Sequence, residues 1–215
     1  MKYTAVIVAA GSGTRMKLGY NKVYAKMRDG RTILNHTMDV FRSDKDCIQI
    51  VVVTEALTYY QNMEGDWPGL ITLAKGGKTR QESVRNGLLA AIGEYVMIHD
   101  GARPYLDQKS LKRIKKALKT DDAVLLTVPC KDTIKKIDTE GYVELTYDRS
   151  TLAAAQTPQA FKTSLLMECM EKAIQAKFTG TDDCSLVEAF SDVRVRTVEG
   201  SYANIKITTP EDMER

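Results

Sequence analysis

After the apolar run TAVIVAA the chain reads GSGTRM, and Lys22 follows Arg15 by seven residues. Gly11 and Gly13 remove side chains where a strand must turn sharply into a loop, leaving backbone N–H groups free to approach an anion. Arg15 and Lys22 add fixed positive charge, with Lys17 contributing less specifically. Together they suit a chain of phosphates. Met16 stands where the dinucleotide fingerprint G-x-G-x-x-G needs its third glycine, and the Walker spacing is absent, so neither of those motifs explains the stretch. A tight strand-to-loop turn would account for the glycines without accounting for both cations.

Two further segments carry candidate chemistry. In HDGARP, Asp100 closes an apolar run and meets Gly101 and Arg103. A carboxylate there can ligate a divalent cation, with waters and substrate phosphates completing the shell as Mg²⁺ prefers; the plainer reading is a turn cap paired with Arg103. His99 reads as a packing or hydrogen-bonding residue. In GGKTRQESVRNGL, Gly76 and Gly77 open a turn and Arg80 and Ser83 fall near the start of a helix. Helix amino ends of this kind suit anions or base edges, although capping explains the serine and glycines equally well. Arg149 and Lys206 supply more positive charge, and no nucleophile–His–acid set is evident. Such an assortment fits phosphoryl or nucleotidyl transfer, where positioning and charge neutralisation dominate.

The elements that must position these residues alternate. TAVIVAA, IQIVVVT, YVMIHD and DAVLLTVP read as strands, while TILNHTMDVF, TRQESVRNGLLAAI and SLKRIKKALK read as helices between them. That order predicts an α/β fold with a mostly parallel sheet and flanking helices. VIVAA, IVVVT and VLLTV are continuous apolar runs, as strands covered on both faces require. Ligands of such sheets bind beyond the carboxyl ends of the strands, where the segments above fall. The lysines of KSLKRIKKALK are expected on a solvated outer face, because Leu111, Ile114 and Leu118 sit at helical spacing.

KDTIKKIDTEGYVELTYDRSTLAAAQTPQAF breaks the alternation. Its β-branched and aromatic residues surround the turn-like DTEGY, so it reads as a hairpin with no helix before Lys162. An inserted β-arm at about 131–152 leaves edges that a second subunit can cover, which predicts a homodimer.

The 215 residues can bury one core, so a single domain spanning 1–215 is expected. Lysine and arginine number 31 against 28 acidic residues, a net +3 that gives no reason to expect nucleic acid as partner. Cys47, Cys130, Cys169 and Cys184 form no C-x-x-C pair, and with only two histidines they suggest reduced thiols of a cytoplasmic protein rather than a zinc or disulfide framework. No apolar run reaches membrane-spanning length, and the first residues read as a strand rather than a targeting segment.

Taken in order, AAGSGTRM with Lys22, GGKTRQESVRNGL, HDGARP, CKDTIK, TYDRSTLAAAQTPQAF, TDDCSLVE and VEGSYANIKITTPEDM resemble the 2-C-methyl-D-erythritol 4-phosphate cytidylyltransferases over nearly the whole chain. The resemblance implies a Rossmann-like fold, a homodimer built through the arm, and Mg²⁺-dependent transfer from CTP to methylerythritol phosphate in the non-mevalonate route to isoprenoid precursors. It implies that Arg15 and Lys22 stabilise the transition state and that the backbone of Gly11, Ser12 and Gly13 cradles the β and γ phosphates. Ala9, Ala10, Gly77, Ser83 and Gly101 would shape the cytosine and ribose pocket, and Asp100 would hold the metal. Arg103 would brace its loop. Thr133, Arg149, Thr157, Thr181 and Lys206 would bind the acceptor, Arg149 and the Thr181 region acting on the partner subunit's site.

Three departures from the family pattern are visible. Asn21 precedes Lys22 where many relatives have proline, which is expected to loosen the loop. Lys78 replaces a common acidic residue, adding positive charge near base or phosphates. The chain stops at Arg215 soon after PEDM, where relatives continue into another helix, so a trimmed terminus is expected. Two other readings stay open on sequence alone: a cytidylyltransferase acting on ribitol 5-phosphate, and a CTP-binding module without turnover.

Overall fold

A computed structural model describes residues 1–11, 19–55 and 69–213. The protein is α/β. Its main sheet has the order β3-β2-β1-β4-β8-β5-β9, formed by β1 (Tyr3–Val8), β2 (Cys47–Thr54), β3 (Ile71–Lys75), β4 (Tyr95–Asp100), β5 (Ala123–Pro129), β8 (Ala153–Lys162) and β9 (Arg196–Glu199). Neighbouring strands pair in parallel except at β8, which runs antiparallel to both β4 and β5. The expected alternation therefore holds with one insertion. The chain after the hairpin region re-enters the sheet as β8 and separates β4 from β5.

The alternation of side chains along the strands builds two cores. On one face Tyr3, Ile7 and Met97 pack with Leu34, Met38 and Phe41 of α1 (Ile33–Arg42) and with Leu111 and Ile114 of α3 (Gln108–Ala117). On the other, Val6, Val53 and Ile98 pack with Val84 and Leu88 of α2 (Arg80–Ala90), Leu166 and Met170 of α4 (Thr163–Gln175) and Leu186 of α5 (Cys184–Phe190). Burial of these side chains is the main driving force for stacking the layers. Thr32, Thr79 and Asp107 start α1, α2 and α3, each accepting from the backbone N–H three residues on.

One glycine decides how closely a helix approaches the sheet. A Cβ at Gly87, in the middle of α2, would lie 2.4 Å from Cγ1 of Val6 and 2.9 Å from Cγ2 of Val53. Glycine costs about 1 kcal/mol in a helix interior, and here it seats α2 against β1 and β2. That seating brings the first turn of α2 to the carboxyl ends of those strands.

Away from that end, Lys115 departs from the solvated face expected of its helix. Its ammonium lies 2.7 Å from both Asp44 and Asp46, and Asp44 also accepts from the buried hydroxyl of Tyr3 at 3.1 Å. Lys109, Lys112, Lys116 and Lys119 are exposed as expected. The hairpin region holds β6 (Lys135–Ile137) and β7 (Val143–Thr146), paired with each other and with no strand of the main sheet among the described residues. Both strands are exposed on all residues, and Ile137, Val143 and the neighbouring turn residue Tyr142 are 60–70% accessible.

His99 locks β4 to β8. Its Nε2 donates to the carbonyl of Arg103 at 3.1 Å, which leaves Nδ1 as the acceptor for the Thr157 hydroxyl at 2.9 Å. Burial lowers the His99 pKa from 6.5 to about 4. The unfolded chain thus takes up this proton first as pH falls. The neutral ring's contribution is complete above pH 6.5 and disappears towards pH 4. Between pH 7 and pH 5 that loss is expected to be about 2 kcal/mol. Urea denaturation at the two pH values checks this: in His99→Gln the pH-dependent loss should shrink by a similar amount, whatever the variant's stability at pH 7.

Candidate active site

The crevice lies where the winding of the sheet reverses, between β1 and β4. Val8 and Asp100 are register partners there, and Gly101 donates its N–H to the Val8 carbonyl at 2.9 Å. The loops leaving both strands open into a cleft of about 480 Å³. Ala9, Ala10, Gly11, Lys22, Gly77, Ser83, Asp100, Gly101 and Lys206 all line it. Residues separated by up to two hundred positions in the chain are thereby brought to one place. Ser12, Gly13 and Arg15 lie outside the described residues.

Asp100 is the acid in the wall of this cleft, 8% exposed and surrounded by cations. Lys206 Nζ is 3.0 Å from one carboxylate oxygen, Arg103 Nε 3.4 Å from the same oxygen, and Arg80 Nε 3.8 Å from the other. Burial by itself would raise the Asp100 pKa, but Lys206, Arg80 and Arg103 together hold it down at about 2. The group is therefore an anion throughout the physiological range. Behind it, the Thr157 hydroxyl accepts from the Asp100 N–H at 3.0 Å while donating to His99.

Arg103 does brace the loop. Its Nη1 donates to the carbonyl of Asn204 at 2.7 Å, and the Asn204 amide donates to the carbonyl of Thr157 at 2.9 Å. This ties the segment carrying Lys206 to the end of β4. Thr157, in contrast, is 5% exposed with its hydroxyl committed on both sides, so it holds Asp100 from behind and does not line the cleft as the resemblance implied.

Asn21 also corrects an expectation. Its side-chain amide donates to the carbonyl of Ala9 at 2.5 Å and its oxygen accepts from the Val23 N–H at 3.2 Å. It caps the short 3-10 turn Lys22–Tyr24 and clips it to the loop after β1, with φ −65°. The turn is fastened, and Lys22, 9% exposed, is held at the cleft wall.

Across the cleft, the turn before α2 is set by its own polar groups. The Ser83 hydroxyl accepts from the Gly77 N–H at 3.0 Å and donates to the Thr79 carbonyl at 2.9 Å. A Cβ at Gly77 would stand 2.3 Å from that of Glu82, so the chain can fold this tightly only with glycine. Lys78 is exposed on the cleft rim, where it adds positive charge as expected. Arg80 follows, and its pairing with Asp183, at 3.0 and 2.7 Å, is a feature that sequence reading missed. The partners are 103 residues apart, and no spacing rule connects them.

Thr133, Arg149 and Thr181 are exposed and do not line this cleft within the chain. Arg149 Nη1 donates to the carbonyl of Lys131 at the root of the hairpin, 2.8 Å away. Among the described residues no three His, Cys, Asp or Glu side chains gather as a metal cage. One ionised carboxylate beside a cationic cleft fits a Mg²⁺ that arrives with phosphate ligands of its own. No described helix is long and apolar enough to cross a membrane.

Comparison with known proteins agrees with this geometry. A family model described as 2-C-methyl-D-erythritol 4-phosphate cytidylyltransferase matches residues 3–215. Proteins of that name from Geobacillus thermodenitrificans and Bacillus mycoides are 45% and 43% identical to this chain over 218 and 216 residues, covering 99% and 98% of it and 94% of each relative. The crystal structure of 4-diphosphocytidyl-2C-methyl-D-erythritol synthase from Anaerococcus prevotii superposes with a TM-score of 0.87 at 35% identity, over 99% of this chain and 95% of that one. The Thermus thermophilus 2-C-methyl-D-erythritol 4-phosphate cytidylyltransferase gives 0.81 at 30%, over 100% and 96%. With the crevice, the anionic Asp100 and the cations around it in place, the chain belongs to the 2-C-methyl-D-erythritol 4-phosphate cytidylyltransferase family.

Proposed function

We propose that the chain transfers a cytidylyl group from CTP to 2-C-methyl-D-erythritol 4-phosphate, giving CDP-methylerythritol and pyrophosphate for isoprenoid synthesis. The observation that carries this reading is the cleft between β1 and β4, where the anionic Asp100 stands among Lys22, Arg80 and Lys206. Such a site neutralises a polyphosphate without needing a nucleophile of its own.

The acceptor phosphate oxygen attacks the α-phosphorus of CTP in line. A new P–O bond forms there as the bond to the β-phosphate breaks, and the bonding pair leaves with pyrophosphate. Lys22 and Arg15 take up charge on the equatorial oxygens and the leaving group. The backbone of Gly11, Ser12 and Gly13 cradles the β and γ phosphates, while Ala9, Ala10, Gly77, Ser83 and Gly101 shape the space for base and ribose. Lys206 faces the acceptor phosphate. Asp100, together with phosphate oxygens of the substrate, would hold Mg²⁺, which would supply further neutralisation of the triphosphate.

The hairpin is assigned to homodimerisation. A two-stranded ribbon is marginal alone, and this one exposes Ile137, Tyr142, Val143 and Leu145. In a dimer, Arg149 and the Thr181 region of one subunit would complete the acceptor pocket of the other. A cytoplasmic enzyme without nucleic-acid or membrane partners is the setting this implies.

The reading is tested by pyrophosphate release with CTP and Mg²⁺ in the presence of 2-C-methyl-D-erythritol 4-phosphate or ribitol 5-phosphate. Turnover is expected with the first only; turnover confined to the second would move the acceptor assignment. Subunit sharing has its own test. Lys22→Ala and Arg149→Ala should each lose roughly 100- to 1000-fold in turnover, as removal of one preorganised charge-stabilising group does. If the subunits exchange freely, equal mixing should restore about a quarter of wild-type activity, because half the dimers are mixed and one of their two sites is intact. Failure of a subunit-exchanged mixture to recover activity would place Arg149 in its own subunit's site.

A further inference from the structure

We infer that Arg80 is an additional binding residue for the phosphate chain of the nucleotide, and that the buried Asp183 is the positioning residue that aims it. The assignment rests on reading the cleft as a CTP site. Arg80 lies on the first turn of α2 and lines the cleft, its side chain 32% exposed. Asp183 is 1% exposed and grips the guanidinium end-on, Oδ1 to Nη1 at 3.0 Å and Oδ2 to Nη2 at 2.7 Å. That grip uses one N–H of each terminal nitrogen. It turns the Nε side towards Asp100, 3.8 Å away.

Asp183 is itself fixed to the middle of the sheet. Gln159 of β8 accepts from the backbone N–H groups of Asp183 and Cys184 at 2.9 and 3.0 Å, and its amide donates to Asp182 at 2.7 Å. Asp182 also accepts from the N–H of Ser185 at 2.9 Å. A carboxylate buried this completely is a poor device for stability alone, since apolar replacements of a buried ion pair are often neutral or stabilising. What the pair does achieve is geometric. It holds a planar, permanently charged fork at the cleft wall with little freedom left to lose on binding phosphate.

Calorimetric titration with CTP and Mg²⁺ tests the assignment on the purified protein, using Arg80→Met, Asp183→Asn and the double variant, with melting temperature and turnover of each recorded alongside. Arg80→Met should weaken CTP about tenfold or more, the loss expected for one charge-assisted hydrogen bond. Asp183→Asn should weaken it similarly. The double variant should bind CTP within about twofold of Arg80→Met, because Asp183 acts only through Arg80. KM for the acceptor should stay unchanged. Asp183→Asn leaves Arg80 without its buried partner; if that variant does not fold, the double variant, which removes both charges, still provides the comparison. Wild-type affinity in Arg80→Met, or a double variant clearly weaker than Arg80→Met, would overturn the proposal. Wild-type protein that binds CTP but releases no pyrophosphate would instead overturn the cytidylyl-transfer reading and leave this assignment standing.

Discussion

The carboxylate of Asp100 is the point on which the site turns. A lone buried anion is costly, and this one is stable because Lys206, Arg103 and Arg80 approach it from three separate parts of the chain. The dependence is mutual. Without the anion, three cations would crowd one corner of the cleft; without them, burial would raise the pKa of the carboxylate and favour its protonated form. Each partner is also fastened elsewhere, Arg103 to the Asn204 carbonyl and Arg80 to Asp183. The charges are therefore placed before any ligand arrives, which is what electrostatic stabilisation of phosphoryl transfer requires.

The scaffold exists to make that convergence possible. Parallel pairing of β1 with β4 sets Val8 beside Asp100, at the switch point of the sheet where such folds place their binding crevice. Gly87 lets α2 settle close enough to bring Gly77, Ser83 and Arg80 to the same end. β8, running antiparallel, delivers Thr157 beneath Asp100 and Gln159 beneath Asp183. A single strand thus supports both acids of the network. Polar residues in the middle of a sheet are costly unless their hydrogen bonds are satisfied, and here those bonds are what hold the site.

The apolar strands and the amphipathic helices were legible because burial leaves a periodic trace in sequence. GSGTRM, GGKT and HDGARP were legible because glycines and charges at strand ends have few purely structural uses. β8 was not, since AAAQTPQAFK lacks a long apolar run and its Gln156, Thr157 and Gln159 hydrogen-bond to distant partners. The Arg80–Asp183 pair and the seating of Lys115 between Asp44 and Asp46 escaped for a related reason: such contacts depend on which elements the fold brings together, not on local spacing. The effect of Asn21 leaves no trace in local sequence because it lies in two side-chain hydrogen bonds, one of them to the loop after β1. Resemblance points Thr157 at the acceptor, whereas its hydroxyl is used within the protein.

The most direct test of this electrostatic arrangement is the protonation state of Asp100 itself, followed by carboxyl-carbon NMR from neutral pH to the acid limit of the folded protein, with Asp100→Asn to assign the resonance. With three cations holding its pKa at about 2, the Asp100 signal should keep its ionised chemical shift throughout. A titration with its midpoint at or above the ordinary aspartate value of 3.8 would contradict the arrangement, because it would mean that burial outweighs the surrounding charges.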